Sequence, residues 1–264
     1  MRVYHHIERA WRSRTIGIVC LALTFGLTPV AAQQAPDLQA CSASDRDVEA
    51  RIAACTRLIE RGQESKDQLA RIYALRAHTY QAKDDLDRAI ADFDQAIRLM
   101  GEVAPASWEL AFTYWTRGHV HRAKGDLDRA IADYDESIRI APKWDKAYND
   151  RGVIYFQRGD HERALADISQ VIAFRPDSPK VAYAYTVRAM VYSQMGQAAK
   201  GLADANRAVA LNANYAFAYF IRGQVFEALG RKDEAIADYR MALKLNPAAM
   251  KEIQEALKRL GSEP

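Results

Sequence analysis

LDRAIADFDQAIRL occupies Leu86 to Leu99, and LDRAIADYDESIRI occupies Leu127 to Ile140, 41 residues further on. Near-copies at a fixed offset in a chain of 264 residues mark an internal repeat. Aligning on an arginine followed by a small residue extends the register to five copies: Arg76 and Ala77, Arg117 and Gly118, Arg151 and Gly152, Arg188 and Ala189, Arg222 and Gly223. The spacings are 41, 34, 37 and 34, so the base period is 34, with seven extra residues around GEVAPAS and three around DSPK.

Each copy reads as two helices. In the second, apolar residues three and four apart run from Tyr114, KGD interrupts them, and a second amphipathic run from Leu127 to Ile140 stops before Pro142. Asp126 is the expected N-cap of that second helix. Gly118 is expected to face Ala130, because helices approach closely where both lack bulk, with Tyr114, His121 and Tyr134 filling the flanks. Every hairpin keeps an apolar face that only a neighbouring hairpin can bury. Stacking therefore predicts an all-α, right-handed α-solenoid with a concave side.

The recurring positions carry a resemblance. Tyr114, Arg117, Gly118, His121, Ala130, Tyr134, Ser137 and Pro142 recur as Tyr148, Arg151, Gly152, Tyr155, Ala164, Ile168, Val171 and Pro176. They recur again as Tyr219, Arg222, Gly223, Phe226, Ala235, Tyr239, Ala242 and Pro247. The pattern and the 34-residue period resemble the tetratricopeptide repeat, with five units over residues 70–249. The first copy lacks the final proline, and the fourth has Gly201, Ala205 and Ala213 where Ala, a large residue and Pro are usual. Those two are expected to pack less tightly. Upstream, residues 33–69 contain RIAACTRLIERG, read as a helix in an N-terminal cap. Downstream, residues 250–264 form a closing helix whose apolar stripe is Ala249, Ile253, Ala256, Leu257 and Leu260.

The N-terminus reads as an export leader. Arg2, Arg9, Arg12 and Arg14 precede an uncharged run from Ile16 to Leu27, and TPVAAQ offers small residues for cleavage after Ala32. An uncleaved anchor is the alternative. Residues 1–32 hold four of the 37 basic and one of the 34 acidic side chains, which leaves 33 of each. A mature chain of zero net charge has no general attraction for nucleic acid or anionic lipid. Cys20 lies in the leader, and the pair left over, Cys41 and Cys55, is expected to form a disulfide in an exported protein, with two reduced thiols as the alternative. The compartment implied is periplasmic or extracellular.

Asp92, Asp133, Asp167, Asp204 and Asp238 each follow a repeat arginine by sixteen residues. Recurrence in all five copies points to Arg–Asp pairs bridging the helices, not to catalysis. The resemblance implies a ligand groove lined by first helices, on the stripe Arg71, Ala74, His78, Phe112, Trp115, His119, Arg122, Lys146, Asn149, Val153, Phe156, Tyr183, Thr186, Met190, Phe217, Phe220 and Gln224. So aromatic a stripe suits an extended or helical apolar peptide. One branch of the family grips C-terminal carboxylates with Lys and Asn. Lys146, Asn149 and Arg122 are the only counterparts, while Ala74, His78, Thr186 and Met190 stand where polar grips are wanted.

No enzyme motif emerges. HERAL at His161 has Leu165 where a zinc protease needs its second histidine, His119 and His121 point to different helix faces, and no phosphate loop, nucleophile elbow or CxxC occurs. No cofactor or metal is implied. The expected function is a noncatalytic adaptor that binds a protein or peptide, with envelope-assembly proteins as the implied partners. A self-assembling structural envelope protein is the alternative.

Overall fold

The computed structural model describes residues 31–43, 47–247 and 250–262. The expected leader at 1–30 lies outside the described residues, as does Ala249 of the closing stripe. The chain divides at residues 147 and 148 into two compact bodies.

In the first body, α1 (Ala31–Ser42) starts across the expected cleavage point and packs on α2 (Val48–Arg61). The disulfide Cys41–Cys55 joins them, with Cα atoms 4.9 Å apart, and Leu58 and Ile72 complete a core exposed by no more than 1% at any of these four residues. Gly62 ends α2 at φ +62°, where its N–H donates to the Ile59 carbonyl. Two antiparallel pairs follow: α3 (Lys66–Ala82) with α4 (Leu86–Val103), and α5 (Trp108–Ala123) with α6 (Leu127–Ile140). Each start is chemically specified. Ser65 and Gln68 form a reciprocal capping box on α3, while Asp85, Ser107 and Asp126 each accept a backbone N–H three residues on. Without a terminating proline α4 runs to 18 residues against 14 for α6, so the inserted GEVAPAS lengthens the helix and then turns the chain into α5.

The boundary between the bodies falls within α7 (Asp145–Gln157). In the second body α8 (His161–Phe174), a short 3₁₀ turn (Pro179–Val181), α9 (Ala182–Gln194), α10 (Ala198–Leu211), α11 (Ala216–Ala228), α12 (Lys232–Leu245) and α13 (Met250–Arg259) follow. Ile154, Ile168, Val191, Ile221 and Tyr239 are buried here, and Ile253, Ala256 and Leu257 bury the apolar stripe of α13. The architecture is all-helical, the repeating helix pair of an α-solenoid.

The arginine and aspartate of every copy meet within that copy. Nε and Nη2 of Arg76, Arg117, Arg151, Arg188 and Arg222 donate to the two carboxylate oxygens of Asp92, Asp133, Asp167, Asp204 and Asp238 over 2.6–3.0 Å. Each guanidinium also lies 5.4–5.7 Å from the ring of the tyrosine three residues before it. The third nitrogen reaches back to the preceding copy: Arg117 to Asp94, Arg188 to Ser169 Oγ, Arg222 to Asn206 Oδ1. The bidentate fork thus fixes register within a pair, and the spare donor fixes register between pairs.

A Cβ built on Gly118 has the Tyr134 ring, sixteen residues on, as its nearest neighbour at 2.7 Å; Gly152 meets Ile168 and Gly223 meets Tyr239 in the same relation. The glycine therefore makes room for the ring expected on its flank. The expectation that the fourth copy packs less tightly is corrected. A Cβ on Gly201 would sit 2.9 Å from the Ala189 carbonyl oxygen, with Ala205 and Ala208 buried, so small side chains draw α10 onto α9.

Candidate functional site

Within residues 31–147 the first helices α3 and α5 bring part of the expected stripe together. His78 packs its ring edge-on to Phe93 at 5.2 Å and lies 6.1 Å from Phe112. Phe112 contacts Trp115 at 5.6 Å, and Trp115 meets His119 edge-on at 4.4 Å. Lys146 holds its ammonium 5.4 Å over the Trp115 ring. Arg71 is exposed and paired with Asp67 one turn earlier, 3.2 Å away, so it stands apart from the rings. Ala74 joins the core beside Ala70 and Leu110.

Two rings outside the expected stripe complete the cluster. Trp108, the first residue of α5, is stacked on Phe112 at 5.3 Å with planes 19° apart, and Trp144, in the connection ahead of α7, is stacked on Phe112 at 5.8 Å and 13°. Trp108 and Trp144 are 5.6 Å apart, and Trp115 and Trp144 5.3 Å. Trp108 was identifiable from sequence, four residues before Phe112 on the same helical face; Trp144 gave no periodic signal because it precedes its helix. Trp108 remains 59% exposed, the most exposed large apolar side chain among the described residues.

Burial sets the electrostatics of this patch. Desolvation pushes the His78 imidazole down to about 4, helped by the nearby Arg51 charge and opposed by a hydrogen bond with Gln81. It is neutral at physiological pH. His121, enclosed on the other side of α5, is also lowered by burial, against the pull of Asp133.

Within residues 148–262 the expected stripe is more buried. Phe156, Met190 and Phe220 keep only 8%, 9% and 4% of their surface, and Val153 and Thr186 are buried as well. These side chains fill the fold and offer a partner little area. Tyr183, Phe217 and Gln224 are partly exposed, as is Asn149. Phe217 stacks on Phe220 at 6.3 Å. Met190 and Gln224 also line a cavity of 290 Å³ with Gln194, Ile221, Glu227 and Arg259. Arg259 of α13 donates from Nε and Nη2 to both oxygens of Glu227 over 3.0 Å, and the Tyr239 hydroxyl donates to Glu227 over 2.5 Å. Burial would raise the Glu227 carboxyl, but these donors hold it below its ordinary value. The arrangement fastens the closing helix.

Among the described residues no group of three His, Cys, Asp or Glu side chains is placed to hold a metal, and no helix is long and apolar enough to cross a membrane. The arrangement offers aromatic area, cations and hydrogen-bond donors, the chemistry of a docking face.

Comparison with known proteins agrees with the fold. No curated protein sequence matches the chain. Among solved structures, BtubC from P. vanneervenii has a TM-score of 0.64 at 17% identity, covering 85% of this chain and 93% of its own. MamA 41-end from Desulfovibrio magneticus has a TM-score of 0.59 at 18% identity, covering 70% and 97%. YrrB, described as a tetratricopeptide-repeat protein with an unusual peptide-binding site, has a TM-score of 0.57 at 18% identity, covering 78% and 98%. At such identities the likeness is one of fold. Tetratricopeptide-repeat family profiles match residues 68–143, 115–179, 182–215 and 216–249. Together with the 34-residue register and the stacked helix pairs, these matches show that the chain belongs to the tetratricopeptide-repeat family.

Proposed function

We propose that this protein is a noncatalytic adaptor that holds a partner protein or peptide against its first helices. The reading rests on the aromatic and cationic face built by Trp108, Phe112, Trp115, Trp144 and Lys146 in the first body; in the second body Tyr183 and Phe217 of the expected stripe are partly exposed. Exposed aromatic rings are costly in water unless something covers them. A peptide-binding site in YrrB, a protein of like fold, supports the same use.

We place the adaptor in the cell envelope, exported by the leader at residues 1–32, with envelope-assembly proteins as its partner class. The disulfide Cys41–Cys55 supports an oxidising compartment. In this reading α1 and α2 cap the repeats of the first body and α13 caps those of the second. Affinity capture from envelope extracts tests it. The full chain should retain a defined foreign protein that Trp108→Ala/Trp144→Ala/Phe217→Ala releases. Equal retention by both chains would overturn the groove, and retention of nothing but copies of the chain itself would favour self-assembly.

A further inference from the structure

We infer that the ring cluster of residues 108–146 is a subsite for a proline-rich segment that carries carboxylates, an inference that rests on the adaptor reading and names the chemistry of its ligand. The first observation is the shape of the cluster. Trp108, Phe112 and Trp144 lie within 13–30° of parallel, each pair 5.3–5.8 Å apart. Three rings mutually that close cannot form a column. They overlap as offset tiles, and no pair leaves a slot wide enough for a further ring. What they present is a stacking platform. A platform favours a ligand that lays flat, rigid rings along it and loses little freedom in doing so, which a polyproline helix does.

The second observation is the polar chemistry around the platform. Lys146 and the two tryptophans at its edges, Trp108 and Trp144, can donate hydrogen bonds through nitrogen and cannot accept them. A ligand rich in ordinary residues brings as many backbone N–H donors as acceptors, and those donors would find no partner in the indoles or the ammonium. Proline carries a carbonyl and no N–H, so a proline-rich segment supplies acceptors to a face that supplies donors.

The third is charge. Of the charged positions of the expected stripe in this body, Arg71 is paired with Asp67 away from the rings, and the other two, Arg122 and Lys146, are cationic. Glu109 lies about 100° round α5 from the middle of the ring stripe by helical geometry. Asp145 stands at the N-terminus of α7, where a carboxylate complements the helix dipole. Carboxylates spaced along the ligand would meet Lys146, whose ammonium the Trp115 ring already holds beside the platform.

All three tryptophans outside the expected leader lie in this cluster, so their emission reports on it. In the full chain carrying Trp11→Phe, a blocked peptide of four Glu-Pro-Pro units should shift or quench tryptophan emission saturably. Trp108→Ala, at a 59% exposed position, should weaken binding about tenfold. Lys146→Glu should weaken it further at low salt. A matching Glu-Gly-Gly peptide should bind at least tenfold more weakly, and a Lys-Pro-Pro peptide not measurably.

Equal binding of the Glu-Gly-Gly peptide would leave charge alone and overturn the inference. So would a response only to an apolar helical peptide, which would keep the adaptor reading intact. Emission that shifts with protein concentration alone, together with growth of a dimer in sedimentation, would assign the platform to a second copy of the chain and overturn it too. Failure of every peptide alongside failure of envelope capture would remove both readings.

Discussion

Gly118 and Gly101 both lie inside helices, and the structure assigns opposite outcomes to adding one methyl group at each. At Gly101, in the last turn of α4, a Cβ meets nothing within 4 Å. Alanine there should stabilise the protein by about 0.5–1 kcal/mol, because glycine loses more backbone freedom on entering a helix. At Gly118 the same atom would stand 2.7 Å from Tyr134 Cε1, 3.0 Å from Cδ1 and 3.2 Å from Asp133 Cβ. Tyr134 is fully buried and Asp133 is held by the Arg117 fork, so neither can swing aside cheaply. The ring must retreat by several tenths of an ångström in a close-packed interior, at a cost of about 1–3 kcal/mol for overpacking. The propensity gain offsets part of that, so Gly118→Ala should be less stable than Gly101→Ala by about 1–3 kcal/mol. Urea unfolding followed by circular dichroism at 222 nm measures both. If Gly118→Ala stabilises as much as Gly101→Ala, the glycine does not make room for the ring and the account of helix approach is wrong.

Further outcomes follow from the ion pairs, the histidine and the disulfide. Asp133→Ala removes the buried carboxylate, 5% exposed, from an Arg117 side chain that is 19% exposed and should cost about 3 kcal/mol in urea unfolding, whereas Asp94→Ala, on the same arginine but 51% exposed, should cost under about 1 kcal/mol. His78 ionises near its ordinary 6.5 when unfolded and at about 4 when folded, so below pH 6.5 the unfolded chain takes up a proton that the folded chain refuses. Stability should therefore fall as pH drops from 6.5 towards 4 and level off below that. His78→Phe, which keeps the ring contacts, should remove about 2–3 kcal/mol of the loss between pH 7.5 and 4.5. Reducing Cys41–Cys55 should lower stability by about 3 kcal/mol on the loop-entropy account, and thermal melting with and without reductant checks it.

The repeat was legible because its physics is local. A helix pair needs its turn residues, its proline and its apolar spacing at fixed offsets, and five copies average out exceptions such as the missing proline after α4. The Arg–Asp fork was legible for the same reason, since an offset of sixteen kept in all five copies must serve the helix pair that the copies share. The surroundings of Gly118 were legible in part, because spacing places Tyr134 beside it but only the crossing geometry shows that this ring is its nearest neighbour. The site was legible in part. Spacing of three and four places Phe112, Trp115 and His119 on one face but does not distinguish a side chain that faces solvent from one roofed by its neighbours, as with Phe156, Met190 and Phe220. Trp144 lies in a connection where no periodicity operates, and only the folded chain brings it onto Phe112.

The most direct test of the adaptor account is the face at which a partner is held. A photo-crosslinking residue is placed at Lys146 or Phe217 on the first-helix side, and at Arg139 or Lys244, exposed on second helices, in otherwise unchanged full-length chains. The account predicts capture of a foreign protein from the first-helix side and from neither second-helix position. Capture from Arg139 and Lys244 with none from Lys146 and Phe217 would contradict it.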